Sequence, residues 1–133
     1  MTANQLMIGD WVLQCELNVP VKVQSIMCHY ADEDVYFYHE ASEYISGVYK
    51  LEPIPLTKEI LEKNSFLEVE AIEYPSHSVG ISFLYRNTSE GLRIFVQNAC
   101  TGGPTCTMIK TCKYVHEVQH MIKMCDIEKE IVL

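Results

Sequence analysis

Two arginines, Arg86 and Arg93, are all that this 133-residue chain contains, and no basic cluster accompanies them. Its 18 acidic against 10 basic side chains give a formal charge of −8. A phosphate backbone would be repelled overall, so nucleic-acid binding is disfavoured. No run of about eighteen apolar residues occurs, so no membrane-spanning helix is expected. Residues 1–6 have neither a basic n-region nor a long apolar h-region, so no secretory signal is expected and the cytoplasm is the expected location. The six cysteines (Cys15, Cys28, Cys100, Cys106, Cys112 and Cys125) include no C-x-x-C pair. That argues against a zinc ribbon or a thioredoxin-type redox site and favours reduced structural thiols. A phosphate-cradling loop is missing too, because Gly102-Gly103-Pro104 lacks the lysine and the helix that would follow it. No serine stands in a nucleophile-elbow setting.

What remains is an ordinary globular composition, 48% hydrophobic and 21% charged, of single-domain length. The segment Leu6-Met7-Ile8-Gly9-Asp10-Trp11 reads as a lead-in and a Gly-Asp turn before a first strand. Residues 20–27 alternate, with Val21, Val23 and Ser25 on one side and Lys22, Gln24 and Ile26 on the other. An acidic turn at Asp32-Glu33-Asp34 separates them from the β-branched and aromatic run Val35-Tyr36-Phe37-Tyr38. Ser46-Gly47 precedes another strand over residues 48–51. Four short strands with tight turns predict a small curled sheet or an SH3-like barrel. Pro53 and Pro55 end it, since neither can sit inside a ladder or a helix.

Thr57 is placed to cap a two-turn helix with Glu59 in its first turn, Ile60 and Leu61 inward and Asn64-Ser65 as the stop. Residues 66–74 alternate apolar and acidic side chains, Leu67, Val69 and Ala71 against Glu68 and Glu70, as a half-exposed strand would. Residues 79–85 and 92–96 read as hairpin arms around residues 87–91. Residues 98–104 form a loop, residues 105–110 a strand, and a longer helix begins near Thr111. Residues 129–133 either add a strand or trail.

That last helix carries a motif with chemistry attached. His116-Glu117-Val118-Gln119-His120 fits H-E-x-x-H, in which two imidazoles one turn apart bind zinc and the glutamate polarises a bound water. Three observations oppose it. A catalytic zinc needs a third protein ligand, and the metzincin continuation would place glycine at position 123 and histidine at 126, where the chain has Lys123 and Asp126. Glu128 and Glu130 follow with no room for a second packed helix, while His29, His39, His77 and Cys112 are available upstream without being indicated. On the helical wheel, Tyr114, Val115, Val118, Met121, Ile122 and Cys125 form one apolar arc, with His116 and His120 nearly opposite it. Finally, chance placement of five histidines and fourteen glutamates yields such a motif now and then. A nucleophilic pair of Cys112 with His116 is weaker still, since nucleophile and base usually come from different elements.

Three motifs follow one another in order, Ile8-Gly9-Asp10-Trp11-Val12, then Glu52-Pro53-Ile54-Pro55-Leu56-Thr57-Lys58-Glu59-Ile60-Leu61-Glu62-Lys63-Asn64-Ser65-Phe66, then Lys113-Tyr114-Val115-His116-Glu117-Val118-Gln119-His120. In these the chain resembles a family of small uncharacterised proteins common in gut bacterial genomes, often within prophages and integrated mobile elements. The family pattern runs Tyr-Val-His-x-Leu-Gln, often with asparagine where His120 stands. Here Val118 replaces the leucine, and Ser65 a glycine at the helix stop. The resemblance implies a shared fold and argues against a zinc site.

The expectation is therefore an α+β chain: an SH3-like β unit, a short helix, an antiparallel sheet, and one C-terminal amphipathic helix packed on the sheet. Residues 1–133 would form one compact unit, divisible at 52/53. The expected function is a non-catalytic interaction or accessory module without cofactor. It would bind a protein partner through its acidic surface or through the tyrosines Tyr30, Tyr36, Tyr38, Tyr44 and Tyr49. The alternative is a small zinc hydrolase with His116 and His120 as metal ligands and Glu117 as general base.

Overall fold

A turn at Gly9-Asp10 starts the first sheet. Gly9 adopts φ +91°, a conformation open to glycine, and the Asp10 carboxylate accepts a hydrogen bond from the Met7 N–H at 2.7 Å. Gly9 N–H donates to the Val23 carbonyl at 2.7 Å and Val23 N–H to that of Asp10 at 2.9 Å, which docks the turn on a neighbouring strand. In the computed structural model, which describes residues 1–29, 32–39, 42–72, 80–99 and 105–133, the chain forms two compact units, Met1–Ile54 and Pro55–Leu133. Tyr30, His77 and the Gly102-Gly103-Pro104 loop lie outside the described residues, as do the end of the strand expected over 66–74 and its neighbour Val79.

The N-terminal unit contains β1 (Trp11–Gln14), β2 (Val19–His29), β3 (Asp32–His39), β4 (Ser42–Gly47), a 3-10 turn (Val48–Lys50) and β5 (Leu51–Pro53). These make one antiparallel sheet in the order β4-β3-β2-β1-β5. Residues 19–22 of β2 pair with β1, and from Val23 onward the strand pairs with β3, with an irregularity between Val23 and Ser25. Such a bulge bends a strand and raises its twist, so one strand can serve two directions of the sheet. Val12, Val21, Val23, Val35, Phe37 and Leu51 are buried as its core. Truncating Phe37 to alanine there would cost about 3–5 kcal/mol.

Two local expectations are corrected here. Asp32-Glu33-Asp34 is the start of β3 and not a turn: burial of Val35 and Phe37 fixes the pairing, and the ladder continues through the acidic residues. Residues 48–50 form a 3-10 turn and not a strand. Continuing as a strand would have kept the chain beside β3, whereas β5 must reach β1 at the opposite edge.

The C-terminal unit contains α1 (Lys58–Lys63), β6 (Leu67–Glu68), β7 (Gly80–Thr88), β8 (Gly91–Ala99), β9 (Cys106–Cys112) and α2 (Val115–Met124). Thr57 caps α1, its hydroxyl accepting from the Ile60 N–H at 3.3 Å. The sheet runs β6-β7-β8-β9, antiparallel except for β6 on β7. Ile94, Phe95 and Val96 in β8 have no exposed surface, as expected for a central strand covered on both faces. The helix α2 packs on one of those faces, where Asn98 Nδ2 donates to the Cys125 carbonyl at 2.8 Å and Cys112 Sγ meets Met121 Sδ at 3.5 Å. The fold class is thus α+β, mostly antiparallel, with the C-terminal helix on the sheet. The half-exposed strand expected from residue 66 shrinks to two residues, and Leu67 is 66% exposed. Its alternation mimics a strand, but among the described residues its one partner, β7, is parallel and only two residue pairs long.

Both helices end alike. Ser65 N–H donates to the Glu62 carbonyl and Phe66 N–H to that of Leu61. Asp126 N–H donates to Lys123 and Ile127 N–H to Ile122. These are Schellman closures, and they place Ser65 at φ +68° and Asp126 at φ +53°. Residues 129–133 add no strand. Instead Val132 N–H donates to Asn64 Oδ1 at 2.8 Å, and Asn64 Nδ2 donates to the carbonyls of Val132 and Ile60, each at 2.7 Å. Ile131 is buried beside this tether.

A left-handed conformation costs an L-residue more than glycine. Ser65→Gly and Asp126→Gly should therefore each raise the unfolding free energy by about 0.5–1 kcal/mol. Chemical denaturation measures this, and a loss of stability in both would refute the closure geometry.

Candidate functional site

The helix α2 positions the residues of the zinc-binding motif. Glu117 Oε2 accepts from the backbone N–H groups of Lys113 at 2.7 Å and Tyr114 at 3.1 Å, while Oε1 accepts from Lys110 Nζ at 2.8 Å. The carboxylate therefore closes the helix N-terminus, satisfying donors that the first turn leaves without intrahelical partners. Its partial burial works against ionisation. The Lys110 ammonium and the two backbone N–H groups outweigh that and hold the carboxyl below its ordinary 4.5.

The two imidazoles meet edge to face with ring centres 5.6 Å apart, and Tyr114 stacks on His116 at 5.9 Å. The outward orientation expected of both histidines is corrected for His116, which is 8% exposed. A helical wheel locates a side chain relative to its own helix and cannot register a ring such as Tyr114 lying over it. Among the described residues, no three His, Cys, Asp or Glu side chains are grouped to hold a metal ion. Of the other candidate ligands, His39 lies on β3, in the other compact unit, and Glu128 and Glu130 are exposed. His77 and the side chain of His29 are outside the described residues.

Cys112, the other candidate nucleophile, is buried, and its thiol is pushed up to about 12 by that burial, with the Glu117 charge adding to it. Such a thiol carries almost no thiolate at neutral pH. Cys106 and Cys125, unrelated in sequence spacing, bring their sulfurs to 2.8 Å, and burial followed by this contact raises Cys125 to about 12.

The N-terminal unit presents a different kind of surface. Val35, Phe37 and Ser46 point into its core, so Tyr36, Tyr38, Glu43 and Ile45 share the outer face of β3 and β4. Tyr38 is 53%, Ile45 61% and Tyr49 81% exposed. Tyr49, on the 3-10 turn, lies over Gly47 so closely that a Cβ there would sit 2.4 Å from its ring. Gly47 follows Ile45 on the same face, which makes Tyr49 the continuation of the strip. Tyr44 stacks on Phe37 from the inner side at 5.7 Å.

Sequence reasoning missed one pairing altogether. The β7–β8 hairpin turns through Ser89-Glu90 with Thr88 opposite Gly91, so Arg86 lies directly opposite Arg93. Placing that two-residue turn, instead of a five-residue loop, would have exposed the pairing, because register follows from turn length. Comparison of the chain with protein-family models, curated proteins and solved structures returned no match.

Two outcomes follow. Glu117 has a lowered folded-state pKa, so its stabilisation is complete above the unfolded carboxyl value and is lost as pH falls through the folded one. Glu117→Gln should cost about 1 kcal/mol at pH 7, a deficit that closes on acidification below about pH 4, as urea titrations across pH would show. Alkylation at pH 8 should leave Cys112 and Cys125 unmodified in the folded protein and label both after unfolding. Rapid native labelling of either, mapped by mass spectrometry, would contradict their placement.

Proposed function

We propose that the chain is a non-catalytic interaction module whose N-terminal unit docks a protein partner on the outer face of β3 and β4. The observation that carries this is the exposed strip Tyr38, Ile45 and Tyr49 with Tyr36 beside it, on strands whose opposite face buries Val35, Phe37 and Ser46 in the core. Tyrosines supply large contact area at low entropic cost, and an apolar strip of this kind is a usual mark of an interface. Charge supports a basic partner. Residues 1–54 carry eight acidic against two basic side chains, a net −6 of the chain's −8. Asp34 and Glu43 lie on the docking face itself.

We read this unit as an SH3-like barrel. The sheet order, the bent β2 and the 3-10 turn between β4 and β5 support that reading. The resemblance to small prophage and mobile-element proteins supports an accessory role. A partner segment with apolar or aromatic side chains flanked by lysine or arginine would suit the strip and its rim.

Peptides selected from a display library on the immobilised protein, then measured by fluorescence anisotropy, test the reading. Tyr49→Ala and Ile45→Asp, both at exposed positions, should each weaken the selected peptide roughly tenfold while leaving the fold intact. Selected peptides should be basic, and their affinity should fall with salt. Binding that is indifferent to both substitutions would move the site elsewhere.

A further inference from the structure

Arg86 and Arg93, the only arginines in the chain, are direct cross-strand partners on one face of β7 and β8, and Thr111 of β9 continues the row beyond Arg93. Like charges directly opposed across two strands repel. Of the ten carboxylates in the C-terminal unit, Glu68 pairs with Lys58 at 3.0 Å and Glu117 with Lys110 at 2.8 Å. Among the described residues no carboxylate forms an ion pair with either guanidinium. Both arginines instead line an open cleft of about 390 Å³ together with Ile72, Ser89, Glu90 and Thr111. Two guanidinium groups are thus held at a cost in repulsion, on the face opposite α2, with hydroxyls beside them.

We propose that this cleft binds the phosphoryl group of a small phosphomonoester. Two guanidinium charges match the two charges of a phosphomonoester, where a carboxylate offers one. Each planar fork can engage two phosphoryl oxygens, and cross-strand neighbours are close enough to share one tetrahedral anion. The Ser89 and Thr111 hydroxyls supply donors for the remaining oxygens. A nucleic-acid backbone is a poor candidate, because two arginines in a unit of eight basic and ten acidic side chains cannot hold a polyanion. Glu90 in the same cleft, with Glu68 and Glu70 on the other side of Arg86, opposes any anion and limits the affinity.

Amide-detected NMR titration of the full chain with phenyl phosphate, inorganic phosphate and benzoate at low salt tests the site. Phenyl phosphate should give saturable shifts confined to residues 86–93 and 111, and binding should weaken as pH falls through the second phosphate ionisation near about 6. Arg86→Gln or Arg93→Gln should weaken it at least tenfold, whereas Glu90→Gln should tighten it severalfold. Arg86→Lys, which keeps the charge and removes the fork, should fall between. Arg93→Gln should also raise the thermal midpoint by removing the repulsion, a readout independent of ligand. Absence of shifts, shifts unchanged in a folded variant carrying both Arg86→Gln and Arg93→Gln, or benzoate binding as tightly as phenyl phosphate would each overturn the proposal. Inorganic phosphate binding as tightly as phenyl phosphate would also overturn it, because the ester substituent would then have no part in recognition.

Discussion

Strand register is the constraint on which everything else here depends. A strand shows alternate side chains to opposite faces, so burying one set dictates what the other set must display. In the N-terminal unit the burial of Val35 and Phe37 leaves Tyr36 and Tyr38 no position except the outer face, where they meet Ile45 across the ladder. In the C-terminal unit the burial of Tyr85, Ile94 and Leu92 fixes the hairpin and puts Arg86 against Arg93. Neither the tyrosine strip nor the arginine pair could be moved by one residue without turning a core side chain into water. Both surfaces are therefore consequences of core packing and inherit its precision.

What could be read from the sequence followed the same logic. The Gly9-Asp10 turn, the Thr57 cap, the β7–β8 hairpin and α2 rest on local physics: a positive φ, a hydroxyl acceptor, alternation, and an apolar arc of helical period. The misses concern what one segment does to another. Asp32-Glu33-Asp34 looks like a turn by composition and is a strand by pairing. Residues 48–51 have strand composition, but the route from one sheet edge to the other requires a 3-10 turn at residues 48–50. His116 stands opposite the apolar arc of its own helix, yet Tyr114 lies against it. The facing arginines are seven residues apart and become neighbours only once the turn is placed correctly.

The motif around Glu117 shows how a chemical signature can arise from folding requirements. A carboxylate at the third helical position is favoured because two backbone N–H groups need an acceptor. Here both are bound, and Lys110 holds the second oxygen. Histidines on either side of such a glutamate complete the H-E-x-x-H spelling, while the carboxylate is already engaged by three donors at the helix terminus.

Asn64 has a consequence of a different kind. Its side chain ties the end of α1 to Val132 through two hydrogen bonds, joining segments 68 residues apart in sequence. Neither segment can then open independently: release of the strand-less tail leaves the Asn64 amide short of partners, and fraying of α1 frees Val132. The short helix and the terminal segment form one cooperative opening unit, and their backbone protons would exchange with solvent at a common rate. A six-residue helix, too short to persist alone, thereby takes its lifetime from residues that come last in the chain.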